Sequence, residues 1–462
     1  MSSAIERRPL VRAGLALSDF TERWFPDAFV IALLAVLVTF VAGLAAGEAP
    51  RKLVEVFGSD FWVLIPFTMQ MAMVIVGGYV VASSPPVYRL IRLLAGIPRS
   101  PRGAVAFVAF FSMATSLVSW GLSLVFTGLL VHEICQRVPK VDYRAIGAAA
   151  YLGLGSIWAF GLSSSAALMM ATRSAMPPAL LAITGVIPLR DTIFLWQSAV
   201  SALVIMLASI AIAVWSCPRE EEAKTQEDFG IEYRPLTIAV ERNPAQRMEG
   251  SRALANAVAA LGLVYVVLTL VQKGGLAALD LNLFNFTFLM VGLLLHQTPR
   301  AFLKAVAASV PATADVLIQF PFYAGIFGLI SKTVLSARLE QLFVALSTKE
   351  TFPLLVAFYS AALGLFVPSG GGKWVIEAPY VMAAAKTFHV HLGWTVQIYN
   401  AAEALPNLLN PFWMLPLMGI LSVRARELAG YAILQLVFHI PLVFLLCWLF
   451  AGTLPYVPPV AP

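Results

Sequence analysis

Between Asp27 and Glu48 the chain runs through residues 28–47 without a charge, about 20 residues and so the length of one helical membrane crossing. Apolar stretches recur to the end of the sequence, at 61–83, 103–131, 145–172, 192–216, 253–272, 281–295, 313–331, 351–385, 394–423 and 428–450. The composition agrees: 60% of residues are hydrophobic and 12% charged, against about 45–50% and about 25% in a soluble chain. So little charge does not cover a water-facing surface. Disorder, a coiled coil and a soluble enzyme are excluded, and an all-α polytopic membrane protein is expected.

Two stretches break in the middle. Ser116, Ser119, Trp120 and Gly121 interrupt 103–131, and Pro368-Ser369-Gly370-Gly371-Gly372-Lys373 interrupts 351–385. Read as re-entrant hairpins, their arms would be roughly 12–16 residues, too short to cross. Two more stretches read as discontinuous helices. Gly153, Gly155, Gly161 and Ser163-Ser164-Ser165 break 145–172; Pro406, Asn407, Asn410 and Pro411 break 394–423. The hairpins aside, nine crossings remain. With the N-terminus inside, 21 of the 31 Lys and Arg fall on the cytoplasmic side, as the positive-inside rule requires. Full crossings in place of hairpins would put Arg137, Lys140 and Arg144 outside. The net charge of +6 thus needs no nucleic-acid partner. The C-terminus falls outside.

The organisation is a cytoplasmic N-terminus (1–27), a first membrane repeat (28–216), a cytoplasmic linker (217–252), a connecting helix (253–272), a second repeat (281–453) and a tail (454–462). Residues 1–27 hold four arginines but no short apolar core with a cleavage site, so no signal peptide is read. The order helix, helix, hairpin, broken helix, helix occurs in both halves. Leu64-Ile65-x-Phe67 matches Leu317-Ile318-x-Phe320, and Gly121 matches Gly370. The connecting helix makes the second half start from the opposite side. Inverted repeats with paired interruptions point to a secondary transporter with its site at the breaks.

Irregular backbone inside a membrane must line a cavity or be buried in protein. Helix N-termini exposed at such breaks suit carboxylates, and C=O ends suit Na⁺ or a proton donor. The candidate substrate contacts are Ser119, Trp120, Gly121, Ser163, Ser164, Ser165, Ser369, Gly370, Gly371, Gly372, Lys373, Asn407 and Asn410. Glu403, with Ser119 and Ser369, is the candidate for a coupling ion. Each has a plainer alternative. Small residues serve helix packing, Lys373 snorkels to the outer interface, and Glu403 pairs with a nearby cation. Asp315, Glu377 and Arg173 read as interfacial, and His132-Glu133 as facing the cytoplasm. Gln319, Phe320, Pro321 and Tyr323 read as a kink. His389 and His391 make a poor metal site, and Cys135, Cys217 and Cys447 suggest neither disulfide nor metal. No metal or cofactor is expected beyond a coupling Na⁺ or H⁺.

Several motifs resemble the short-chain fatty acid transporter family, grouped with inverted-repeat ion transporters. They are Val118-Ser119-Trp120-Gly121, Gly161-Leu162-Ser163-Ser164-Ser165-Ala166, Gln319-Phe320-Pro321-Phe322-Tyr323-Ala324-Gly325, Pro368-Ser369-Gly370-Gly371-Gly372-Lys373-Trp374 and Asn410-Pro411-Phe412-Trp413. The likeness runs nearly end to end, from Trp24-Phe25-Pro26-Asp27 through Leu294-Leu295-His296-Gln297-Thr298-Pro299 to the last helix. It implies cation-driven symport of small monocarboxylates such as acetoacetate or butyrate across a bacterial inner membrane, by an elevator motion. The sequence departs from the family pattern at Ala159-Phe160-Gly161-Leu162 and at Glu377-Ala378-Pro379. The remaining helices would form a scaffold, which is open to a homodimer. Partners are thus a small carboxylate and membrane lipid. A dicarboxylate carrier or a Na⁺/H⁺ exchanger is the nearest rival. An enzyme is disfavoured because no histidine has an Asp five residues later and no Asp-rich metal motif occurs. A channel is separated by saturation and gradient dependence.

Overall fold

A computed structural model describes residues 28–231, 244–273, 275–365, 369–409 and 411–459. All regular structure among them is helical. The N-terminal 27 residues, Pro368 and Asn410 lie outside the described residues, as do 232–243 of the linker. The first half runs α1 (Ala28–Ala45), α2 (Pro50–Asp60), α3 (Ile65–Ala82), α4 (Pro85–Leu94), α5 (Pro101–Val118), α6 (Trp120–Cys135), α7 (Tyr143–Leu152), α8 (Ser165–Ala171), α9 (Pro178–Thr184) and α10 (Trp196–Ser216). A short α11 (Pro244–Glu249) lies in the linker, and α12 (Arg252–Gln272) connects the halves. The second half is α13 (Leu281–His296), α14 (Pro299–Ser309), α15 (Ala314–Ser331), α16 (Val334–Leu346), α17 (Phe352–Gly364), α18 (Gly370–Thr387), α19 (Leu392–Asn407), α20 (Leu415–Leu421) and α21 (Ala425–Ala451).

The element order repeats more fully than the apolar runs indicate. In each half an apolar helix (α1, α13) precedes a short amphipathic one (α2, α14). A second apolar helix (α3, α15) and a second short one (α4, α16) follow, then a hairpin, a broken helix and a closing helix. The short helices start where local chemistry dictates. Pro50, Pro85 and Pro299 occupy first-turn positions, where the missing N–H is no loss and φ is already helical. Thr298 Oγ1 caps α14 by accepting from Ala301 N.

Contacts between loops sort the chain onto two faces. On one, Lys332 Nζ reaches Asp60 Oδ1 at 2.5 Å and Arg338 donates to Ala46 O. On the other, Arg137 pairs with Glu133 and donates to Arg92 O, and Tyr88 donates to Glu133. The α3 helix runs from the first face to the second. The α5–α6 hairpin enters and leaves on the Arg92–Arg137 face. The α17–α18 hairpin enters and leaves on the opposite face, where Phe352 packs on Phe388 and Thr387 bonds Glu340. Each hairpin is therefore re-entrant, and the two dip in from opposite sides. Outward-facing positions on α12 are apolar, with Leu261 74% and Val271 75% exposed, as a lipid-facing helix requires.

Three expectations need correcting. The α5 arm is 18 residues, longer than the expected 12–16, because Pro101 starts the helix ahead of Arg102. By length and composition six helices among the described residues are long and apolar enough to cross a membrane, one of them the hairpin arm α5, or seven if α15 and α16, bent by 75°, form one span. Nine crossings apart from the hairpins were expected; α13 has only 16 residues, whereas α1 runs uncharged over all 18 of its residues. The chain saves length by turning span ends into the short amphipathic helices. Finally, Glu377 is not interfacial; it is fully buried.

Candidate functional site

The second hairpin turns at Ser369. Its Oγ caps α18 by accepting from Gly372 N at 3.2 Å. A first helical turn leaves up to four N–H groups without intrahelical partners, so the start of α18 presents donors to whatever lies beyond it. Tyr399 of α19 fixes this turn, donating from its hydroxyl to Gly370 O at 2.5 Å. The glycines permit close packing: a Cβ at Gly371 would stand 2.9 Å from Phe67 Cζ and 3.3 Å from Ser165 Cβ. The first hairpin repeats the device, with Ser119 Oγ accepting from Leu122 N.

The break after α7 passes through a π turn (Gly153–Ile157) and a 3₁₀ turn (Trp158–Phe160). Gly153 N donates to Ser112 Oγ and Leu162 N to Leu117 O, so the unwound backbone is satisfied by the first hairpin. In α19 the break follows Pro406 and Asn407. Asn407 O accepts from Tyr151 OH, which ties the two broken helices together.

These four irregular segments border one cavity. Its lining is Trp120 from the first tip, Leu154, Trp158 and Ser165 from the first break, Ser369, Gly370 and Gly371 from the second tip, and Glu403, Asn407 and Trp413 from the second break. Met71 of α3 and Val316 and Phe320 of α15 close it with apolar groups. The space swept by the centre of a water-sized sphere is ≈ 40 Å³. That is room for about three waters, or ~90 Å³ of liquid, the size class of an acid of a few carbons.

Of the sequence candidates, Trp120, Ser165, Ser369, Gly370, Gly371, Glu403 and Asn407 meet at this cavity. The others among the described residues stand nearby in supporting places. Ser163 donates to Ser116 O, Ser164 caps α8 through Ala167 N, and Gly121 packs on Ile75 O. A Cβ at Gly372 would collide with Tyr323. Trp158, Trp413, Leu154, Met71, Val316 and Phe320 are lining residues that the sequence reading did not assign. Trp158 stands out, because its Nε1 is buried without a hydrogen-bond partner in the protein. A buried indole N–H normally has a partner, so Trp158 brings an unsatisfied donor to the cavity wall.

Lys373 does not snorkel. It is fully buried behind the tip, ion-paired with Glu403, 3.6 Å from Glu377 Oε1 and donating to Ser360 O. Ser360 Oγ donates to Glu377 Oε2 at 2.6 Å. The Lys373 ammonium also stands 5.0 Å from the centre of the Tyr399 ring. One cation thus faces two carboxylates in a buried interior. The pairing alternative for Glu403 is what the geometry contains, and its partner is Lys373. His132 is buried and contacts Ile420 O rather than facing the cytoplasm. His391 caps α19 through Trp394 N. Asp315 lies outside the described side chains.

A family model described as short chain fatty acid transporter matches residues 10–450. A relative in Escherichia coli K12, named for short-chain fatty acid transport, is 34% identical over 434 residues, 92% of this chain and 97% of its own length. One of the same name in Haemophilus influenzae Rd is 31% identical over 440 residues, 93% and 98% of the two chains. Among solved structures, the YdaH transporter of Alcanivorax borkumensis, described as having an unusual topology, is similar at a TM-score of 0.57 and 16% identity, covering 94% of this chain and all of that one. MtrF of Neisseria gonorrhoeae, described as illuminating a class of antimetabolite efflux pumps, is similar at 0.55 and 14%, covering 93% and 97%. At that identity the last two bear on the fold alone. The homologues are transporters and not enzymes. The chain is a member of the short-chain fatty acid transporter family.

Proposed function

We propose that this protein takes up small monocarboxylates such as acetoacetate and butyrate in symport with a cation. The cavity carries this reading: both hairpin tips and both broken helices border it, and a capped helix start opens on it. The substrate carboxylate accepts from the first turn of α18, the Ser369 and Ser165 hydroxyls, the Trp158 Nε1–H and the Asn407 amide. The acyl tail lies against Met71, Leu154, Val316 and Phe320. Glu403 is the coupling group, with the capping serines Ser119 and Ser369 beside the two helix starts.

The hairpins and broken helices form the unit that moves, in an elevator-like step, against a scaffold of the remaining helices. The halves are inverted repeats, in keeping with hairpins that enter from opposite faces. The Arg92–Arg137 face carries most of the basic loops, which supports a cytoplasmic N-terminus, an outside C-terminus and residence in a bacterial inner membrane. The scaffold pairs in a homodimer.

The test is uptake of labelled butyrate and acetoacetate into proteoliposomes under imposed Na⁺ or pH gradients. Saturable uptake that stops when the gradient collapses, and that butyrate but not succinate inhibits, is the expected result. Inhibition by succinate instead would favour a dicarboxylate carrier. Gly371→Leu should abolish uptake without loss of membrane insertion, since its side chain collides with Phe67 and Ser165 at the tip. Normal uptake by that variant would count against the site.

A further inference from the structure

Two observations at the cavity wall bear on the coupling ion. The first is a charge imbalance. Lys373, Glu377 and Glu403 bring one positive and two potential negative charges together, each at most 1% exposed. The second is that only Glu403 of the three lines the cavity. Glu377 stands behind it, held by the Ser360 hydroxyl and by Lys373. Gly364 lets α17 come this close: a Cβ there would lie 3.0 Å from Glu403 Oε2 and 3.1 Å from Lys373 Nζ.

The surroundings supply no second cation among the described residues. α17 contributes Ser360 and Tyr359, α18 adds Tyr380, α19 adds Tyr399, and α15 adds Tyr323. Other charged groups on the packed elements are engaged elsewhere. Lys386 bonds Ile183 O, Arg338 bonds Ala46 O, Glu340 bonds Thr387, His439 bonds Ser209, Arg424 pairs with Glu427 and Lys332 pairs with Asp60.

An anion entering this cavity comes to rest beside Glu403. With Lys373 as the one cation, a third carboxylate arriving beside Glu377 and Glu403 does not stay ionised together with both of them. Lys373 does not neutralise both, because Glu377 already shares its charge. A sodium ion between the carboxylates meets the Lys373 ammonium in the place it would need. We infer that Glu403 takes up one proton for each carboxylate ion the cavity binds, so that the coupling ion is H⁺ rather than Na⁺. On binding, the proton goes to the Glu403 carboxylate, Lys373 keeps Glu377 as its counter-ion, and the bound anion replaces the charge that Glu403 gave up. The cavity's net charge is then the same empty and loaded. This rests on the cavity being the carboxylate site.

The experiment is calorimetric titration of the purified full-length protein with butyrate, in Na⁺-free buffers of differing ionisation heat. Proton uptake per butyrate bound should rise to about one toward pH 8, and Kd should weaken with pH by up to about tenfold per unit there, where the free ligand stays ionised. In Glu403→Gln the proton count per bound butyrate should fall to about zero, and Kd should lose its pH dependence. Saturable heat without proton uptake in the wild type, binding that needs Na⁺, or unchanged uptake in Glu403→Gln (which would put the proton on the ligand) overturns the inference alone. Absence of saturable butyrate heat under every condition removes the carboxylate site itself, and the proton inference with it.

Discussion

At the scale of single residues, two side chains make separable predictions. Trp158→Phe keeps most of the ring and removes one N–H donor. A hydrogen bond to a charged group contributes about 1.5–3 kcal/mol, so Kd for butyrate should weaken by about 10- to 100-fold with thermal stability little changed. Lys373→Met leaves Glu377 and Glu403 buried without their cation. Removing one member of a buried ionic group costs about 3–5 kcal/mol, so the variant should melt at a lower temperature in detergent and fail to transport. Lys373→Arg should restore neither fully, since a planar fork does not fit where an ammonium stands among Ser360 O, Glu377 and Glu403. Part of this was legible in the sequence. The triple glycine, Ser165, Glu403 and Asn407 are recognisable as breaks or as ionisable groups inside a span. Glu377 stands four residues after Lys373, a spacing that puts both on one helix face, and that was the available signal for the buried pair. Trp158 carried no signal of its own. Tryptophans are common in membrane proteins, and its unpaired nitrogen exists only once the chain is folded.

At the scale of elements, the apolar runs marked the spans and the interruptions marked the hairpins, because lipid forbids the alternatives. The short helices α2, α4, α14 and α16 were not legible. They are brief and carry charge, so no apolar run marks them, although Pro50, Pro85 and Pro299 sit at first-turn positions. The start of α7 shows how the linker is anchored. Asp142 accepts from Arg144 N, Ala145 N and Lys224 N, and pairs with the Arg144 guanidinium at 2.5 Å. Tyr143 N donates to Lys224 O, and Gln226 contacts His132 of the first hairpin. Asp142→Ala removes a helix cap and a buried partner together. It should destabilise the protein by several kcal/mol, about 1 kcal/mol of it from the cap and the rest from the stranded Arg144. Limited proteolysis should then cut near Lys224 faster than in the wild type. Unchanged cleavage would mean the linker is held by other contacts.

At the scale of the whole molecule, the two faces give an orientation that labelling can check. In a cysteine-free background, Lys349→Cys should react with an impermeant maleimide applied to intact cells, and Arg300→Cys should react only after permeabilisation. The reverse pattern would invert the topology and remove the charge argument for it. The walls of the cavity have a practical consequence. Three of the ten tryptophans, Trp120, Trp158 and Trp413, border it, and two of them, Trp120 and Trp413, meet edge to face with centroids 5.7 Å apart. Under the proposed function, an acid arriving among three indoles should alter the polarity each one feels. Intrinsic emission should therefore report occupancy, so that an unlabelled acid of each chain length can be scored by its own optical titration, and emission unmoved by saturating butyrate would count against the site.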